Sequence, residues 1–216
     1  TFNWFCDDTW RFDTFSSRAC EYFNVCSTPE PTYIEKFKQI GYNNILLGNW
    51  HCSLGFFPNQ KFKQKDIDSC FIGYLTNNRK DFFQIVEKQG VSINKFYGLN
   101  HKEMLQKWSE SKLGINLSTN DNDPARKTQM KLRMFEVPAA RALLVTEYHP
   151  GLEQFYTIDK EIITFRSIPE FIDKMKFLNN NPAIIEKLAF SGHQRFIKEH
   201  ESKIRLKLIL EEITKC

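Results

Sequence analysis

Residues 131–155, "KLRMFEVPAARALLVTEYHPGLEQF", carry a helix pattern and a strand pattern in direct succession. Leu132, Phe135, Ala139 and Leu143 recur at helical spacing and predict one apolar stripe, and "ALLVT" (142–146) then reads as a short buried strand. Glu136 breaks the pattern. On a wheel of about 100° per residue it lies about 40° from Leu132, inside the face that the stripe buries. A carboxylate withdrawn from water needs a partner, either a neighbouring cation or a bound molecule.

The alternation extends outward in both directions. Upstream, strand patterns at "FNWFC" (2–6), "FNVCST" (23–28) and "NNILLG" (43–48) alternate with helices over 13–21 and from "PEPT" through Gln39. Prolines 29 and 31 suit the start of that second helix and Gly41 its end. "FFPNQKFKQKDIDS" (56–69) interrupts the periodicity and reads as an interdomain linker. A second series follows: "SCFIGYL", a helix over 79–89, "VSINKFYG", a helix over 101–110, and "KLGINLS". After the polar loop "TNDNDPARKT" and the opening stretch come the strand "EIITF", a helix over 168–180, and one long helix from Pro182 to about Thr214. Strands alternating with helices predict an α/β protein of doubly wound parallel sheets covered on both faces.

The chain has 216 residues, 41% hydrophobic and 26% charged, with a net charge of +4. Its basic clusters "KFKQK" (61–65) and "KIRLK" (203–207) read as solvated faces; neither has the aromatic interleaving of a nucleic-acid surface. A positive balance still suits a polyanion such as a nucleotide diphosphate. The cysteines at 6, 20, 26, 52, 70 and 216 form no CxxC pair and no zinc spacing with histidine, which predicts a reducing, cytoplasmic setting. No apolar run has membrane-spanning length and no leader pattern is visible. Lacking an initiator Met, the chain reads as a processed product or a piece of a longer polypeptide.

Ligands of open α/β sheets settle at the carboxyl ends of the strands, and the candidate residues are those that fall there. In "FIGYLTNNRKDFF" (71–83), Gly73 lets a backbone approach a ligand closely, Tyr74 follows it, and Arg79 opens the next helix, a setting that favours phosphate. An ordinary β–α turn with a solvent-facing Arg explains the same residues. Asn116, Ser118 and Thr119 end the strand "GINLS", and Lys131 and Arg133 lie in the early turns of the following helix. Arg133 and Glu136, three residues apart, are neighbours and can simply pair. Alternatively Arg133 meets a phosphate while the two oxygens of Glu136 accept from the vicinal hydroxyls of a ribose. In "WFCDDTWRFD" (4–13), Asp7 and Asp8 suit sugar binding, general base work, a divalent metal, or a helix cap. His149 in "EYHPGLEQF" is a weaker candidate; the other four histidines read as structural or exposed.

These stretches resemble a known family. "RMFEVPAARALLVTEYHPGLEQFY" followed by "EIITFRSIPEFIDKMKFLNNNPAIIEKLAFSGHQRFIKEH" is similar to the C-terminal donor domain of GT-B glycosyltransferases, in particular the group-1-like, CgeB-type proteins. "DIDSCFIGYLTNNR", "INKFYG" and "GINLS" fall in the family's order, and residues 1–60 look like the end of its N-terminal domain. The resemblance implies two Rossmann-like units. Residues 1–60 would be a partial acceptor-side unit, 61–186 a nucleotide-sugar donor domain, and 187–216 a C-terminal helix. It also implies sugar transfer from a nucleotide-diphosphate sugar, a UDP-sugar by expectation, to a hydroxyl of a glycan or glycoconjugate, without a metal cofactor. Glu136 matches the family's ribose-holding acid, Gly73 and Arg79 its diphosphate region, Arg133 the Arg beside that acid, and Asp7 and Asp8 its acidic pair facing the cleft. Tyr74, Asn116, Ser118 and Lys131 complete the expected donor set. The sequence departs from the pattern at Thr128, where the first Glu of the wider group's E-x7-E pair would stand, at Pro138 inside the helix, and at Arg141, commonly Gly. A non-catalytic nucleotide-sugar-binding module of a larger protein is the competing reading.

Overall fold

The computed structural model describes residues 1–121, 123 and 125–215; Cys216 and two residues of the polar loop, Asn122 and Pro124, lie outside the described residues. Two parallel sheets form. The first has the order β1 (Phe2–Trp4), β2 (Val25–Thr28), β3 (Ile45–Leu47), and the second the order β5 (Asn94–Phe96), β4 (Ile67–Ile72), β6 (Ser111–Asn116), β7 (Leu143–Glu147), β8 (Ile163–Phe165). Every pairing in both sheets is parallel. The fold is therefore the α/β arrangement that the alternation predicts.

In the first sheet, β1 leads into a helical run that begins with α1 (Asp8–Arg11), earlier than the predicted 13–21, and continues through α2 (Ser17–Ala19). After β2 comes α3 (Ile34–Gln39). Phe5, Phe12 and Phe37 fill the core between them, stacking or meeting edge to face.

The second sheet is covered on both faces because alternate residues of its strands are apolar in both directions. Phe71, Leu113, Ile115 and Val145 pack on one side with α4 (Asn77–Lys88) and α7 (Ile168–Asn179). Cys70, Ile72 and Leu144 pack on the other with α5 (His101–Glu110), α6 (Arg133–Ala139) and Phe196 of α8 (Pro182–Glu199). Asn100 caps α5 and Glu103 reaches back to the Asn100 N–H, so the start of that helix is written in local chemistry.

Three expectations are corrected. The opening helix is seven residues long: Leu132 is partly exposed at its N-cap and Leu143 belongs to β7, so Phe135 and Ala139 alone carry the predicted stripe. Pro138 is tolerated because it falls in the last turn. The Met134 carbonyl, which loses its N–H partner there, accepts from the Tyr156 hydroxyl at 3.1 Å. The helix stops by a pair of reverse bonds, Ala142 N–H to Val137 O at 3.2 Å and Arg141 N–H to Pro138 O at 3.1 Å. Arg141 adopts the left-handed φ of 58° usually taken there by Gly, at about 1–2 kcal/mol. Its guanidinium is held by His193 at 3.1 Å and Asn59 at 2.7 Å.

The segment 56–69 is no loose tether. Its last three residues already belong to β4, and buried Lys65 donates to the carbonyls of Ser109 and Ala140 at the ends of α5 and α6. The long C-terminal helix is two. It breaks at His200, buried between the Phe155 carbonyl (2.9 Å) and Arg205 (2.6 Å), and resumes as α9 (Ser202–Ile213) with Glu201 accepting from the Lys203 N–H. The expected boundary at 187 falls inside α8.

Replacing Tyr156 by Phe leaves the Met134 carbonyl buried without a donor. Chemical denaturation should register a loss of about 1–3 kcal/mol; an unchanged midpoint and slope would mean that the proline-interrupted turn does not depend on this hydroxyl.

Candidate functional site

The carboxyl ends of β4 and β5 and the starts of α5 and α6 enclose a cavity of about 520 Å³. Gly73, Tyr74, Lys131, Arg133 and Glu136 line it, so half of the ten residues singled out from the sequence meet on one wall. The far wall is Tyr97, Gly98, Leu99, His101 and Met104, which the sequence did not single out as site residues; His101 is exposed, one of the two settings expected for it. The one available signal was "FYG" before the cap of α5, with Gly98 at a positive φ of 70°.

Gly73 is where the wall is made. Its φ is 154°, and a Cβ added there would lie 3.3 Å from both Arg133 Nη2 and the Phe71 ring. The missing side chain lets Arg133 reach across from α6 to the end of β4. There its guanidinium stands 5.5 Å from the Phe71 ring centroid and donates to Asn116 Oδ1 at 2.9 Å. Burial, then the charge of Arg79, bring the Arg133 pKa down to about 10, with Glu136 opposing. Arg79 approaches the same Phe71 ring, also at 5.5 Å, but it lines a neighbouring cavity of about 380 Å³ with Asp121, Glu147 and Arg166. It donates to the Tyr74 carbonyl at 2.9 Å, and Asp121 lies 3.7 Å away.

Lys131 is the freest cation. Among the described residues nothing pairs with its amine, and burial together with Arg133 lowers its pKa to about 8. Glu136 is 4% exposed. Burial raises its carboxyl to about 7, partly countered by Arg133 and by the nearby Trp108 indole N–H, which falls short of hydrogen-bond geometry. Among the described residues Glu136 joins no ion pair: Arg133, its neighbour along the helix, is turned to Asn116 instead. The wall therefore holds partly buried cations and a buried acid that form no ion pair with one another, and it offers donors and acceptors to a ligand.

Asn116 and Ser118 do not line the cavity. Both are fully buried; Asn116 holds Arg133, and the Ser118 hydroxyl donates to the Glu147 carbonyl at 2.9 Å. Asp7 and Asp8 part company. Asp7, half-buried with φ 63°, accepts from Gln129 Nε2 at 2.8 Å, and its charge is felt at Lys131. Asp8 is 0% exposed and faces the interior of the first unit, not a cleft, so the expectation of a cleft-facing pair is corrected. Burial raises its carboxyl to about 6, against the pull of the Ser16 and Thr28 hydroxyls. His149 is likewise buried, at the junction of the two units. Among the described residues no group of three His, Cys, Asp or Glu side chains comes together as a metal site.

Two parallel α/β units with a cavity at the strand ends define the doubly wound α/β class, in which ligands settle at the carboxyl ends of the strands. Residues 80–211 match the family described as glycosyl transferase-like, more than half of the chain, and the protein belongs to that family. No curated protein sequence matches it. Among solved structures the chain is similar to HepE of Anabaena in complex with UDP-glucose, with a TM-score of 0.72 at 8% identity over 100% of this chain and 72% of that one. It is similar to a TarM variant of S. aureus in complex with Fondaparinux, α-GlcNAc-glycerol and UDP, with a TM-score of 0.70 at 14% identity, over 95% of this chain and 48% of that one. An α-glucosyltransferase in complex with UDP-glucose and DNA containing an abasic site gives 0.66 at 12% identity, over 99% and 72%. These likenesses establish the fold as that of the glycosyltransferases. The chain spans about half the length of TarM.

The raised carboxyl of Glu136 has a stability consequence. Between its ordinary value of 4.5 and about 7 the folded chain holds more protons than the unfolded one, so the contribution is present below about 4.5 and is lost as pH rises through 7. Glu136→Gln should therefore stabilise the ligand-free chain at pH ~8 by about 1–3 kcal/mol and make little difference at pH ~4. Equal unfolding free energies at both pH values would show that the acid is not withdrawn from water.

Proposed function

We propose that this chain carries the donor site of a glycosyltransferase, moving a sugar from a nucleotide-diphosphate sugar to a hydroxyl of a glycan or glycoconjugate. The observation that supports it is the cavity wall of Glu136, Arg133 and Lys131, three charged groups withdrawn from water and left unneutralised by each other. A ribose diol donates to both Glu136 oxygens. The diphosphate accepts from Lys131 and Arg133, with Arg79 behind them across the Phe71 ring. Negative charge growing on the leaving diphosphate meets fixed cations, so the transfer is driven by positioning and electrostatics. No metal is required by this reading.

UDP is the nucleotide we favour, because the HepE, TarM and α-glucosyltransferase structures carry UDP or UDP-glucose. The first unit, residues 1–60, is assigned the acceptor side, with Asp7 rather than buried Asp8 as the acid placed to accept the acceptor's proton. Further domains of a longer parent chain would complete the acceptor pocket. The CgeB-type subgroup is the placement suggested by "RMFE" and "HPGLEQF". The described cysteines are unpaired, in keeping with a reducing cytoplasmic setting, and no helix among the described residues is long and apolar enough to cross a membrane.

Calorimetry with UDP and with 2′,3′-dideoxy-UDP tests the assignment. Glu136→Ala should weaken UDP by about 1–3 kcal/mol, roughly 5–150-fold, and leave the dideoxy analogue nearly unaffected. Equal affinity of wild type and variant for UDP would remove the ribose role. Release of free sugar from UDP-glucose or UDP-N-acetylglucosamine, or its transfer to an acceptor, separates an enzyme from a binding module.

A further inference from the structure

Two buried side chains from different units meet where the units join. Glu30, at the carboxyl end of β2, is 1% exposed and His149, after β7, is 3% exposed; Glu30 Oε2 and His149 Nε2 are 2.8 Å apart, off the axis of a linear hydrogen bond. Glu30 Oε1 accepts the Met130 N–H at 2.9 Å, and the Thr128 hydroxyl lies 3.1 Å from His149 Nδ1. With Nε2 carrying the proton toward the carboxylate, Nδ1 is free to accept from Thr128, so one neutral tautomer suits both neighbours. The backbone is shaped for the contact: Gly151 has φ 90°, and a Cβ there would lie 2.8 Å from Pro31, the residue after Glu30.

The gripped segment, Thr128 to Met130, ends at Lys131, and the first unit holds it at further points. Gln129 donates to Asp7 at 2.8 Å and accepts from Thr9 at 3.1 Å, and Trp50 donates to the Met130 carbonyl at 3.1 Å. We propose that Glu30, seated by His149, is a positioning residue that reaches across the unit junction to fix Lys131 on the wall of the donor cavity. The inference rests on the donor-site reading and adds to it that the second unit's anion site depends on the first unit.

The charges facing Lys131 are Arg133 and Arg79, which disfavour its ammonium, and Asp7 and Glu30, which favour it. Around Glu30 itself stand His149, Asp8 and Tyr33. Burial has already brought Lys131 down to about 8, so affinity for an anion should fall as pH rises through that value.

The test is calorimetry on the full chain with inorganic pyrophosphate, UDP and uridine, at pH from about 6.5 to about 9.5. In wild type, pyrophosphate and UDP affinities should drop through pH ~8 and uridine affinity should not; Lys131→Met should remove that limb and leave only the one that Glu136 adds on the same wall as it ionises near about 7. Glu30→Gln, which keeps an acceptor for Met130 but loses the charge that seats His149, should weaken pyrophosphate roughly 3–10-fold below pH ~8. His149→Asn should act in the same direction, and the double variant should be no worse than the larger single one. Unchanged pyrophosphate affinity in Glu30→Gln, or equal losses for UDP and uridine, would overturn the clamp in favour of a purely structural contact. A wild type that binds pyrophosphate with the predicted pH limb but no nucleotide would instead sink the donor reading and leave the clamp standing.

Discussion

Arg133 and Glu136 sit three residues apart on one helix, both withdrawn from water, and do not pair. Neighbours at that spacing ordinarily associate. Here Arg133 is drawn away through the gap at Gly73, where Asn116 and the face of Phe71 hold it. The acid stays on the wall without a counter-ion. Each group bears a desolvation cost that the other relieves only in part, and both shifted pKa values record it. A ligand with an anionic end and a diol end would relieve both, which is why the site's chemistry follows from one diverted side chain.

That diversion needs a rigid setting. β4, β6 and β7 supply it from the middle of the sheet, and Asn116, fully buried at the end of β6, is itself tied to Ser118 and Thr146 at 3.0 and 2.9 Å. Arg133 is thus oriented by a polar cluster under the cavity floor. Asn116 and Ser118 read from the sequence as ligand contacts because they end a strand; the structure makes them supports. Position at a strand's carboxyl edge selects the right neighbourhood but cannot tell the wall from what stands behind it.

Much of the fold was legible in the sequence. Five of the eight described strands fall within the apolar runs that predict them and β4, β6 and β7 overlap theirs, starting or ending one or two residues outside, because a strand buried on both faces leaves a continuous signal; Asn100 with Glu103 marks the start of α5. What was not legible depended on contacts distant in sequence. Lys65 looked like part of a solvated charge run until two helix ends supplied its acceptors. The break at His200 is invisible to periodicity, since α8 and α9 each keep a helical pattern; a carbonyl at Phe155 creates it. Asp8 resembled its neighbour Asp7, and the direction of a single turn sends one to the interior and the other toward Gln129.

The shortness of α6 bears on function as well as on prediction. A helix of seven residues has little stability of its own. Arg133–Ala139 persists because Met134, Phe135, Val137, Pro138 and Ala139 are buried and because Tyr156 and the bonds to Val137 and Pro138 satisfy its last carbonyls. A longer helix would place Glu136 by its own geometry and could slide or fray with its ends. This one is placed by the sheet beneath it, by α5 and α8 beside it, and by the first unit's hold on the residues just before it. The acid on the wall therefore has one position to occupy, set by everything around the helix rather than by the helix.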